Sequence, residues 1–175
     1  MKAIIKLKGY ILFLAGLFSC RTIPEGARPL NPFSKEKYLG KWYEIARLDF
    51  RFERNLNNTT AEYTLRPDGN IQVLNRGYNY RKKRWQQVTG IAKTAGKANE
   101  GKLKVSFFGP FYAPYNVIAL DLHYRYALVA GKNLHFLWFL SREKSMPQAV
   151  KDEYLKLAAD IGYPVQELVW VEHTL

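Results

Sequence analysis

The chain has 175 residues, 47% of them hydrophobic and 15% aromatic, with one cysteine and a formal charge of +12. One domain is the prior for that length, and a single cysteine excludes a disulfide framework and a cysteine-based metal site. The basic balance admits nucleic acid or anionic lipid as a partner, and the N-terminal residues decide between them.

The chain opens "MKAIIKLKGYILFLAGLFSC". Lys2, Lys6 and Lys8 precede an apolar run from Tyr10 to Phe18, too short for a resident bilayer span and laid out as a secretory signal. Cys20 follows Leu17, Phe18 and Ser19. Leucine at minus three and a small residue just before cysteine resemble the bacterial lipoprotein box. That resemblance implies cleavage before Cys20, lipid on its sulfur, and a membrane partner reached through lipidated Cys20. Arg21, where an inner-membrane retention signal would place Asp, resembles outer-membrane sorting. The domain organisation is therefore a signal peptide over 1–19, anchor and linker over 20–33, and one folded domain over 34–175. Losing Lys2, Lys6 and Lys8 takes the charge from +12 to +9. An exported, anchored chain meets little nucleic acid, so anionic headgroups are the expected partner. Residues 21–33 hold three prolines and no periodicity, and read as a spacer of roughly 20 Å mean span.

Ser34 caps a short helical turn that Gly40 ends. Eight β-branched or aromatic segments follow: 41–48, 60–66, 70–78, 85–94, 102–108, 115–122, 124–130 and 134–142. Turn residues such as Pro67-Asp68-Gly69-Asn70 and Gly131-Lys132-Asn133 separate them. This spacing predicts an all-β fold, an eight-stranded antiparallel up-and-down barrel closed on itself. One C-terminal helix is predicted over 145–162, with Ser145 as N-cap and Gly162 as its stop. Its apolar stripe, Val150, Tyr154, Leu157, Ala158 and Ile161, needs a surface to cover. The 134–142 segment is apolar on both faces, so one face can line the barrel and the other can lie under the helix packed outside. A last strand is expected over 167–173.

Alternating strand directions bring Trp42 and Arg142 to the same end of the barrel. Arg142 shares parity with Leu140, Trp138 and Phe136, so it points inward and can stack on the indole. Gly40 lets the entering chain pass closely beneath. Gly40, Trp42 and Arg142 are thus expected to form a structural plug.

These residues carry a family resemblance. Gly40-x-Trp42, the segment "ALDLHYRYALV" (119–129) and the closing Arg142 resemble the three lipocalin motifs, although Asp121 and Tyr126 are spaced differently from the usual middle motif. "GKWYEIARLDFRFER", "KVSFFGPFY", "YNVIALD" and "LWFLSR" are similar to the bacterial outer-membrane lipoprotein branch of that family. The resemblance implies a calyx that carries fatty acids or lysophospholipids in envelope maintenance under stress, anchored in the outer membrane and facing the periplasm. Homodimerisation is implied by the same branch.

The loops opposite Trp42 carry Arg51, Phe52, Arg54, Tyr80, Arg81, Lys82, Lys83, Arg84, Phe111, Tyr112 and Lys132. An apolar interior with a cationic rim suits an amphiphile. Interior parity gives Glu44 and Ala46 on the first strand, Phe107 on the fifth, and Phe136, Trp138 and Leu140 on the eighth. With Arg81, Lys82, Lys83 and Arg84 at the rim, these are the expected ligand-binding residues. Glu44 needs a partner or a proton, and either Arg142 or a tyrosine hydroxyl can serve. Catalysis finds little footing. His123, His135 and His173 form no metal or nucleophile motif, and Gly96-x4-Gly101-Lys102 lacks the Ser/Thr and the helix of a phosphate loop. Asp121 and His123 fall at the closed end. No cofactor, no metal and no enzyme activity are expected. An anchored barrel filled with side chains is the alternative reading.

Overall fold

The structure, a computed structural model, describes residues 22–175. Cys20, Arg21 and the signal lie outside them. Helix α1 (Lys35–Tyr38) is a single turn whose Lys37 N–H donates to the Ser34 hydroxyl. Eight strands follow: β1 (Gly40–Leu48), β2 (Leu56–Leu65), β3 (Ile71–Asn79), β4 (Arg84–Thr94), β5 (Lys102–Phe108), β6 (Phe111–Leu120), β7 (Tyr126–Ala130) and β8 (Leu137–Ser141). Each pairs antiparallel with the next. β8 returns to β1 and β1 to β2, which closes the barrel. Helix α2 (Gln148–Ile161) and a 3-10 turn (Val165–Glu167) lead to β9 (Leu168–Trp170), which pairs with Ala46–Leu48 on the half of β1 that β2 leaves free.

Two apolar cores result. One lies inside the barrel near the Trp42 end and includes Tyr38, Trp42, Ile71, Val73, Val117 and Val129. The other lies outside, between the barrel wall and α2, where Tyr154 and Ala158 meet Ile45, Leu128 and Phe139. Phe139 faces the helix while Leu140 faces the interior, as expected for a strand buried on both sides.

Three expectations need correction. Ser145 does not cap α2. Pro147 takes the N-cap position, without a side-chain bond, because the residue before a proline is pushed out of helical conformation. The start of the helix is thereby delayed past Met146. Its other end matches: Gly162, at φ 102°, donates its N–H to Ala158 and Ala159. The 109–114 loop shrinks to a turn at Gly109-Pro110, because β6 already begins at Phe111. Pro114 is tolerated there, since pairing with β7 stops at Asn116↔Ala130 and no ladder on that side is broken. Residues 22–33 lack helix and strand but do not hang free. Leu30 N–H donates to Val117 O, Phe33 N–H to Asn99 O, and Ala27 is buried in the outer core.

Candidate functional site

At the closed end, the Arg142 guanidinium lies 3.9 Å from the centre of the Trp42 ring. It donates to the carbonyls of Lys37, Tyr38, Leu39, Lys41 and Tyr124. Trp42 Nε1 donates to Tyr38 O at 2.9 Å. Gly40 has φ 94°, and a Cβ there would sit 3.3 Å from Arg142 Nη1. Above this floor, Tyr115 Oη lies 2.7 Å from Tyr38 Oη and 2.9 Å from Tyr63 Oη. Burial raises all three phenol pKa values, so all three stay protonated.

Beyond the tyrosines the barrel is hollow. The cavity holds about 850 Å³, near the upper end of the ~300–1,000 Å³ range usual for small-molecule sites. Val73, Val105, Phe107, Phe136, Trp138 and Leu140 supply much of its apolar wall. At the mouth, the Phe136 and Trp138 rings stack at 6.3 Å, and Phe50 meets Trp138 edge-on at 6.0 Å.

Glu44 lines the cavity, and its partner is neither Arg142 nor a tyrosine. Arg47 Nη1 donates to Glu44 Oε1 at 2.6 Å. On a regular strand a residue three positions on would face the other way. A bulge between Glu44 and Ala46 breaks the β1–β8 register, which reads Glu44↔Leu140, Ala46↔Phe139 and Arg47↔Trp138. Arg47 therefore turns inward. Ala46 turns outward into the core under α2 and does not line the cavity, which overturns its expected ligand role. Arg47 Nη2 also donates to the carbonyls of Glu53 and Leu56, pinning the loop between β1 and β2. Glu53 closes the group: its carboxyl accepts from Trp138 Nε1 at 3.0 Å and stands 3.9 Å from Arg47 Nε.

Two carboxyls thus share one guanidinium. Burial pushes Glu53 up to about 8, and the neighbouring Glu44 charge adds to the rise. Burial also raises Glu44, against the pull of Arg47. At neutral pH Glu53 is the group that holds a proton, and Glu44 is neutralised by Arg47. The floor of the mouth loop therefore carries little net charge.

The basic tip sits elsewhere. Arg81, Lys82, Lys83 and Arg84 are exposed at the β3–β4 turn, and none lines the cavity. The cations at the cavity edge are Arg51, stacked 4.4 Å over Phe52, together with Arg76 and Lys132. Asp121 accepts backbone bonds from His123, Arg125 and Tyr126 and so shapes the β6–β7 turn. Among the described residues, no group of three or more His, Cys, Asp or Glu is placed to hold a metal ion.

A calyx plugged at one end and hollow toward the other defines a carrier-type barrel for small apolar molecules. The sequence matches the lipocalin-like domain over residues 34–173, and the chain belongs to that family. It is 49% identical over 160 residues to the outer membrane lipoprotein Blc of Escherichia coli K12, covering 91% of this chain and 90% of that one. The Blc of Citrobacter freundii is 48% identical over the same lengths. Temperature-induced lipocalin-1 of Arabidopsis thaliana is 37% identical over 142 residues, 76% of this chain and 75% of that one. Among solved structures, insecticyanin from the tobacco hornworm superposes with a TM-score of 0.71 at 22% identity, covering 87% of each chain. That likeness concerns the fold.

Proposed function

We propose that this protein is a membrane-anchored lipid carrier that holds one acyl chain of a fatty acid or lysophospholipid in its barrel. The carrying observation is the 850 Å³ cavity with its apolar wall. A filled structural barrel would have no such space. Each buried methylene of a ligand contributes about 0.8 kcal/mol, so the acyl chain supplies affinity. Arg51 and Lys132 stand where a phosphate or carboxylate would emerge. The neutralised Glu44–Arg47–Glu53 group avoids repelling that anion from below.

Several features support anchoring and place. The Cys20 sequence resembles a lipoprotein box, and the Blc relatives are named outer membrane lipoproteins. Lipidation of Cys20 would place the domain at the outer membrane, facing the periplasm, in envelope lipid maintenance. The reading is of a binder rather than a catalyst. Among the described residues, the cavity wall has no histidine, serine or cysteine to serve as nucleophile or base.

Mass spectrometry of protein gently purified from membranes tests this directly. A co-purifying single-chain lipid in stoichiometric amount is the expected result. Protein that carries none and takes up none on incubation with fatty acid would favour the structural barrel.

A further inference from the structure

We infer that the mouth of the barrel faces the bilayer, apposed to an anionic lipid surface, because the anchor leaves the domain at the mouth end. The inference rests on the reading of Cys20 as the lipid anchor.

The first observation is where the N-terminal segment is held. Asn116 is fully buried, and its Nδ2 donates both to Thr22 O at 3.0 Å and to Ala130 O at 3.2 Å. Ala130 ends β7, and the next two residues, Gly131 and Lys132, line the cavity at the mouth. From Thr22 the chain runs back along the wall to Phe33, whose N–H bonds Asn99 in the loop at the closed end. The segment is a strap fixed at both ends. Cys20 precedes Thr22 by two residues, a reach of at most about 7 Å. A lipid on Cys20 therefore enters the bilayer beside the mouth. A free spacer over 21–33 would have left either end of the barrel facing the membrane.

The second observation is the rim itself. Phe52, Phe108 and Phe111 are 61%, 67% and 80% exposed, and the Phe52 and Phe108 rings lie 6.3 Å apart. Arg51 stacks on Phe52, Lys132 is exposed beside them, and the exposed tip Arg81 to Arg84 projects from the same end. Exposed aromatics interleaved with cations are what a headgroup interface accepts, the rings at the acyl boundary and the cations among anionic phosphates. This orientation lets an acyl chain pass between bilayer and cavity without crossing bulk water.

The test uses the full acylated chain reconstituted into phosphatidylethanolamine and phosphatidylglycerol vesicles containing a headgroup-linked quencher. An environment-sensitive dye is placed at Gly109→Cys, at the mouth, or Leu122→Cys, at the closed end. A Cβ at Gly109 meets nothing within 4 Å, and Leu122 is 93% exposed, so both sites accept a label. Loss of fluorescence is expected to be several-fold larger at 109 than at 122, and to shrink when phosphatidylcholine replaces phosphatidylglycerol. Equal loss at the two sites, or a larger loss at 122, overturns the orientation. Loss at 109 that ignores lipid charge overturns the anionic surface. A reactive thiol at Cys20 in the unsubstituted protein instead overturns the anchor reading, and the orientation with it. None of these outcomes bears on ligand occupancy, which the mass measurement reads separately.

Discussion

Arg142 stacks 3.9 Å over the Trp42 ring while its nitrogens collect five backbone carbonyls from the α1 segment, β1 and the β6–β7 turn. The pair closes the floor and ties the chain's entry to the last barrel strand. Trp42→Ala should lower stability by about 3–5 kcal/mol. Arg142→Lys keeps the charge but loses the planar fork, and should not rescue. A double-mutant cycle by chemical denaturation should give a coupling on the order of 2 kcal/mol. Additive losses would show that the stacking contributes nothing.

The Glu44–Arg47 pair sets a second expectation. Removing Arg47 strands a buried carboxyl, so Arg47→Met should destabilise by about 3–5 kcal/mol. Glu44→Gln combined with Arg47→Met should lose much less, because no unpaired charge remains. Arg47 also holds the carbonyls of Glu53 and Leu56. Hydrogen exchange across 49–58 should therefore accelerate in both variants, whatever the global stability.

Glu53 makes stability depend on pH. Its folded value, about 8, lies above the ordinary 4.5. Between those values the unfolded chain releases the proton and the folded chain keeps it. Stability therefore falls as pH rises through that window and levels off above it, with a slope of at most about 1.4 kcal/mol per pH unit. Melting temperatures measured from acid to mildly alkaline pH should show the decline, and Glu53→Gln should flatten it. A wild-type profile that is flat in this window would contradict the protonated carboxyl.

The cations divide by position. Arg51→Gln with Lys132→Gln should reduce the preference for a fatty acid over an uncharged monoglyceride. It should also weaken the salt dependence, since exposed charges are screened over about 8–10 Å. Replacing Arg81, Lys82, Lys83 and Arg84 by Gln should leave that preference nearly intact and weaken adsorption to anionic vesicles. Loss of ligand preference in the quadruple variant would place selection at the hairpin tip after all.

Much of this was legible in the sequence because strand parity runs unbroken where it was used. From Phe136 to Arg142 the alternation holds, so the inward set and the floor stack follow from counting. On β1 the same counting fails at one residue. The bulge before Ala46 exchanges the faces of Ala46 and Arg47, and the local residues carry no Gly or Pro to announce it. Arg47 as partner to Glu44 was hidden for the same reason. Glu53 was missed because a carboxyl in a loop reads as solvated, and only the fold puts Trp138 and Arg47 against it. The fixed strap over 22–33 escaped because Pro and Gly mark a lack of regular structure, which is not a lack of contacts.

The central claim is that the cavity takes an acyl chain, and a chain-length series tests it most directly. Calorimetric titration with saturated fatty acids, each two carbons longer than the last, should tighten binding about ten- to twentyfold per step, at ~0.8 kcal/mol per methylene, until the cavity is filled. Affinity that stays flat across the series, or no binding at any length, would contradict an acyl-chain carrier.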